Sequence, residues 1–165
     1  MRSFFLDGSA LAKRYAPETG SALIDFILDN VAEHHIFLLN VGAAEVVSVL
    51  IRKRNAGALS VADYNQAIVE LESEIIRSPA KHVLAFDNAV VIDAFAYIMA
   101  HSINATDAIM LRVALDVAHH LRNQRDDLVL VASDQRLLRA AQAEGLVTFN
   151  PEKQDQASLA TLVSP

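Results

Sequence analysis

Five short runs of largely apolar residues punctuate this chain: Phe4-Phe5-Leu6, Ile36-Phe37-Leu38-Leu39, His82-Val83-Leu84-Ala85-Phe86, Leu128-Val129-Leu130-Val131 and Leu146-Val147-Thr148-Phe149. The first, second and fourth have no polar face, which suits strands buried on both sides rather than strands with one face in water. The third and fifth are weaker. Between the runs lie segments whose apolar residues recur at intervals of three and four, the spacing of an amphipathic helix. Leu23, Ile24, Ile27 and Leu28 do so within 21–31, and Val90, Val91, Ala94, Phe95 and Ile98 within 87–101. Strands that alternate with helices through short turns imply right-handed crossovers and a parallel sheet covered on both faces. The expected fold is α/β, three-layer α/β/α, with a four- to five-stranded, mainly parallel sheet.

Further helices are expected over 10–15, 43–55, 61–76, 106–122 and 135–144. Asn40 and Gly42 mark the turn before the second of these in chain order, and Ser60 with Asp63 forms a capping-box variant at 60–63. At 165 residues the chain is read as one domain over 1–150, followed by a polar, loose tail over 151–165.

Composition narrows the chemistry. There is no cysteine, so disulfides, zinc knuckles, iron–sulfur clusters and thiol nucleophiles are excluded, and any metal must be held by oxygen or imidazole. Hydrophobic residues make up 53%, yet no apolar stretch approaches the roughly 20 residues that span a bilayer. The chain is read as cytoplasmic. The net charge of −6 argues mildly against nucleic-acid binding, which leaves a basic footprint. A cluster of metal-binding acids makes the same contribution, and basic residues can still be grouped locally.

Four acids stand out by position. Asp7 ends the first strand, and Asp134 follows the fourth by two residues, so both belong at the carboxyl edge of the sheet, where open α/β sheets bind ligands. Each also reads as a helix N-cap, and a carboxylate has oxygens enough to cap and to ligate. Glu45 has Val41 and Val49 four residues to either side and so lies on an apolar stripe, where a carboxylate needs a partner. That partner is either the sheet edge or an ion pair with Arg52 or Lys53. Asp107 opens its helix, where an acid complements the helix dipole, and it aligns with Met110, Leu111 and Leu115. Four carboxylates gathered at one edge repel each other and call for a cation. Mg²⁺ or Mn²⁺ prefers such oxygens and supports phosphodiester cleavage.

The same residues carry a family resemblance. The opening stretch Phe5-Leu6-Asp7-Gly8-Ser9-Ala10-Leu11-Ala12-Lys13-Arg14-Tyr15 resembles the first motif of PIN-domain ribonucleases of the VapC toxin type. Ala44-Glu45-Val46-Val47-Ser48-Val49-Leu50, Ala105-Thr106-Asp107-Ala108-Ile109-Met110-Leu111 and Val131-Ala132-Ser133-Asp134-Gln135-Arg136-Leu137-Leu138 resemble the second, third and fourth. The resemblance spans nearly the whole chain. It implies a PIN-like fold and Asp7, Glu45, Asp107 and Asp134 as metal-binding acids, with Ser9 a hydroxyl supporting the site. The implied activity is Mg²⁺- or Mn²⁺-dependent endoribonuclease, the toxin of a toxin–antitoxin pair. The implied partners are an RNA substrate, a cognate antitoxin and a second copy in a homodimer. Two positions depart from the pattern: Gly8, expected to loosen its turn, and Asn104, which replaces a frequent Arg and removes one candidate for binding phosphate.

Lys13, Arg14 and the run Arg52-Lys53-Arg54 are the densest basic groups. They read either as phosphate contacts or as helix-end charges; Arg112 and Arg136 are equally open. The six histidines show no chelating spacing and are assigned surface or capping roles. Competing readings are a DNA-directed or structure-specific nuclease, a PIN-fold binding module without activity, and a phosphotransfer or dehalogenase enzyme with Asp7 as nucleophile. The last lacks a second acid at position 9, where Ser9 stands.

Overall fold

A computed structural model describes residues 2–163. Met1, Ser164 and Pro165, which fall in the ranges 1–150 and 151–165 above, lie outside the described residues. In chain order the elements are β1 (Ser3–Leu6), α1 (Gly8–Tyr15), α2 (Ser21–Asn30), β2 (Ile36–Leu39), α3 (Asn40–Asn55), α4 (Val61–Leu71), β3 (His82–Leu84), α5 (Asn88–His101), α6 (Ala105–Asn123), β4 (Leu128–Val131), α7 (Gln135–Ala143), β5 (Val147–Phe149) and α8 (Gln156–Val163). The five strands form one sheet in the order β3-β2-β1-β4-β5. Every pairing is parallel.

β1 is the centre of the sheet and all four of its residues are buried. Side chains alternate across a strand, so Phe4 and Leu6 enter one core and Phe5 the other. The first core takes Leu11, Ile24, Leu50, Leu71 and Leu159, from α1 to α4 and α8. The second takes Ala94, Leu111, Leu121 and Leu137, from α5 to α7. Helices therefore cover both faces, which gives the three layers expected. From β1 the chain builds outward through β2 to β3, then returns to the other side for β4 and β5. The direction of winding reverses at β1 and β4, and the crevice beyond the carboxyl ends of such strands is the ligand position of doubly wound sheets. Asp7 extends this pair, its N–H donating to the Val131 carbonyl at 2.9 Å.

Four local expectations are corrected. α3 begins at Asn40 rather than Ala43, so Asn40 and Gly42 lie inside the helix and not in a turn before it. The helix over 61–76 is α-helical only to Leu71 and continues as a wide π turn over Glu72–Ile76. That turn delivers Glu74 to Arg14 at 3.0 Å and to the Tyr15 hydroxyl at 2.9 Å. β3 ends at Leu84, short of Phe86. The stretch from Asn150 is not loose: Asn150 Oδ1 accepts from the Glu152 N–H at 2.8 Å, and α8 buries Leu159 completely. Burying one leucine stabilises by about 1.5–3 kcal/mol, enough to hold a short helix in place.

Candidate functional site

Asp7, Ser9, Glu45, Ser48, Val49, Arg52, Asp107 and Asp134 line one cleft of about 340 Å³. All five residues singled out from the sequence are among them. Asp7 is the N-cap of α1 and its carboxylate is almost fully buried. Its Oδ2 accepts the Ser9 N–H at 3.1 Å and also the Ser9 hydroxyl. Ser9 Oγ in turn accepts the Ser133 N–H at 3.1 Å, tying the end of β1 to the turn after β4. Asp134 caps α7 through Oδ1, which accepts from Arg136 N at 2.6 Å and Leu137 N at 3.3 Å. The capping role anticipated for both residues is thus real, and it coexists with their place in the cleft.

Asp107 is held by Asn104. The amide Oδ1 of Asn104 accepts the Asp107 N–H at 2.9 Å, and its Nδ2 donates to Asp107 Oδ2 at 2.8 Å. Asn104, read as a missing phosphate ligand, is instead the cap of α6 and the residue that orients an acid. Its spacing, three before an acid at a helix start, is a reciprocal capping pattern visible in the sequence.

Glu45 reaches the cleft because Gly8 has no side chain. A Cβ at position 8 would lie 2.8 Å from Glu45 Cβ, 2.8 Å from Glu45 Oε2 and 2.9 Å from the Gly42 carbonyl oxygen. The expectation that Gly8 loosens its turn is corrected: it sits in the first turn of α1 and lets α3 press against it. Nothing in a single sequence marks this, since the requirement is a distance between two helices. The ion pair considered for Glu45 is absent as well. Lys53 Nζ goes to Glu18 at 2.5 Å and to the Ala16 carbonyl at 3.1 Å, while Arg52 is exposed on the cleft wall.

The other basic candidates are committed elsewhere. Lys13 is buried, with Glu18 and Glu152 each at 2.6 Å. Arg14 pairs with Asp25, Asp29 and Glu74, and Arg112 with Asp93 and Asp116. None of these three reads as a phosphate contact. The basic residue that acts on the acids is Arg136, whose charge lowers the pKa of Asp107.

The electrostatics show acids with too few counter-charges. Burial, then the neighbouring charges of Asp7 and Asp107, pushes Glu45 up to about 7. Burial, then Asp7 and Asp134, pushes Asp107 up to about 7. Asp7 is raised chiefly by burial, and the hydroxyl and amide of Ser9 offset part of that. Ser133 Oγ, beside them, is buried with no hydrogen-bond partner among the described residues. Also among the described residues, no group of three or more acids or histidines is placed so that it could hold a metal ion. What the cleft offers is four carboxylates and an orphaned hydroxyl beside them, all hard oxygen donors of the chemical type that a cation keeping much of its water takes.

Comparison with solved structures returns folds of this kind. PAE2754 from Pyrobaculum aerophilum superposes with a TM-score of 0.64 at 16% identity, covering 98% of this chain and 96% of its own. FitAcB from Neisseria gonorrhoeae gives 0.62 at 21%, covering 92% and 99%. VapC20 of Mycobacterium tuberculosis, a sarcin-ricin loop cleaving toxin, gives 0.61 at 17%, covering 93% and 100%. The chain has a PIN-like fold. These identities speak for the fold alone; no family model and no curated protein sequence matches. Within that PIN-like fold the cleft at β1 and β4 is where the four acids meet.

Proposed function

We propose that this protein is a Mg²⁺- or Mn²⁺-dependent endoribonuclease, the toxin of a toxin–antitoxin pair. The observation that carries the reading is the acidic cleft, in which Asp7, Glu45, Asp107 and Asp134 converge with two of them held near neutrality by burial and repulsion. The likeness in fold to VapC20, a sarcin-ricin loop cleaving toxin, supports the choice of RNA. A divalent ion bound there supplies a water of lowered pKa and stabilises charge on the leaving oxygen.

Asp7, Asp107, Asp134 and Glu45 would hold the ion, and each has a reason to face it. Asp7 and Asp134 are fixed by helix caps, Asp107 by Asn104, and Glu45 by the close approach of α3 to Gly8. Ser9 keeps Asp7 in one rotamer and couples it to the Asp134 turn. An antitoxin and a homodimer complete the proposal. The exposed apolar residues Ile92, Phe95 and Met99 share one face of α5 and offer a surface for a protein partner. Among the described residues no single helix is long and apolar enough to cross a membrane.

The test is cleavage of a mixed pool of single-stranded and structured RNA in Mn²⁺ or Mg²⁺ against EDTA. Asp7→Asn preserves volume and the cap while removing a charge, so it is expected to fold and to lose cleavage by about 100-fold or more. Cleavage that survives EDTA, or that Asp7→Asn retains, contradicts the reading. Metal binding without cleavage of any RNA favours the inactive PIN-fold module.

A further inference from the structure

Next to the acidic cleft lies one of opposite character. It encloses about 470 Å³ and is lined by Ala100, His101, Ser102, Arg136, Arg139 and Ala140. No described residue lines both clefts, but neighbouring residues of the same segments serve the two. The turn after α5 contributes Ser102 to one and, two residues later, Asn104 to the grip on Asp107 in the other. At the start of α7, Asp134 faces the acids while Arg136 and Arg139 line the basic side. Arg136 is near enough for its charge to lower the pKa of Asp107.

The arginines here differ from the cations that the fold neutralises. Lys13, Arg14, Lys53, Lys81, Arg112 and Arg122 are each taken up in ion pairs. Arg136 and Arg139 are exposed and make no ion pair among the described residues. Glu144, at the end of the same helix, is turned to His101 Nε2 at 2.6 Å. Residues three apart on a helix are neighbours on its surface, so the two guanidinium groups present one donor face. From Asp134 to Arg139 the helix advances about 7.5 Å at 1.5 Å per residue, a step comparable to one nucleotide of an extended strand.

A chain of net charge −6 that offers four carboxylates to a polyanion repels it. A substrate held over those acids therefore needs fixed cations close by, and guanidinium groups suit phosphate oxygens because they bind them bidentately. We propose that the Arg136–Arg139 cleft is a subsite for a backbone phosphate of single-stranded RNA, holding the strand beside the bond that lies over the acids. The subsite rests on the nuclease reading for the identity of its ligand.

The experiment is binding of a fluorescent single-stranded RNA, by anisotropy, in EDTA at several salt concentrations. Wild type is compared with Arg139→Gln, with Arg136→Gln/Arg139→Gln, and with Lys153→Gln as an exposed cation outside the cleft. The double variant is expected to bind about 10-fold more weakly or worse, with a salt slope shallower by about one to two, one for each phosphate that is no longer neutralised. Lys153→Gln is expected to match wild type. Wild-type affinity and slope in the double variant, or no RNA binding by the wild type, overturns the subsite. Steady-state cleavage in Mn²⁺ separates the two claims. A raised KM with kcat held in Arg139→Gln supports the subsite. Cleavage with unchanged KM in both variants leaves the nuclease reading standing without it. RNA binding abolished in the double variant, with no metal-dependent cleavage by wild type, leaves the subsite standing and overturns the nuclease.

Discussion

At Gly8 the absence of a methyl group decides where a carboxylate sits. The atoms that a Cβ here would meet at 2.8–2.9 Å include a main-chain carbonyl, which cannot swing aside as a side-chain tip can. Gly8→Ala must therefore push α3 away from α1. Overpacking of this kind costs about 1–3 kcal/mol, to be read by urea denaturation, together with weaker Mn²⁺ binding as Glu45 moves out. Unchanged stability and unchanged metal affinity would mean that the helices have slack there. The acids themselves were legible residue by residue, since each ends a strand, opens a helix or interrupts an apolar stripe. The residues that aim them were legible only in part. Asn104 is a cap at a recognisable spacing, whereas the role of Gly8 exists only once α1 and α3 are packed. Lys13 and Arg14 stayed open in the sequence for a related reason: a cation's partners in the fold can be remote in sequence, as Lys13 and Glu152 are.

Among the elements, the strands were the most legible, because a run such as Leu128–Val131 without a polar face has few places to go except the middle of a sheet. Helix ends were less so. α3 starts three residues early because Leu39 already has cap geometry and Asn40 continues directly into the helix. The tail was misread because Leu159, fully buried, gives no periodic signal in a short stretch that is otherwise largely polar. α5 shows the opposite mismatch, with apolar residues in excess of what the core takes. Ala94 is buried, while Ile92, Phe95 and Met99 stand 62%, 51% and 77% exposed on one face. A homodimer through that face predicts that Phe95→Glu shifts the mass measured by light scattering from dimer to monomer without lowering the melting temperature of the monomer. A wild-type chain that is monomeric at every concentration contradicts it.

The whole molecule carries a strain in its charges that pH should expose. The folded state holds protons on Glu45 and Asp107 up to about pH 7, whereas an unfolded chain releases them near pH 4. Between those values the native state binds more protons, so unfolding stability falls as pH rises. Metal-free protein is accordingly expected to melt at lower temperature at pH 7.5 than at pH 5. Glu45→Gln/Asp107→Asn should flatten that dependence, and a pH profile identical to wild type in the double variant would place the effect elsewhere. The net charge, which argued mildly against nucleic acid, is explained in part by this cluster. Whole-chain charge says little about a surface where acidic and basic clefts lie side by side.

The most direct measurement is a Mn²⁺ binding isotherm of the wild-type protein and of Asp7→Asn, taken at pH 6 and at pH 8. Ligating carboxylates must lose their protons, so affinity is expected to rise across the interval that contains the values near 7 for Glu45 and Asp107. Asp7→Asn is expected to weaken it by about 10- to 100-fold. Wild-type protein that binds no Mn²⁺ at pH 8, or an Asp7→Asn variant that binds it equally well, would contradict the account of the cleft as a metal-holding nuclease site.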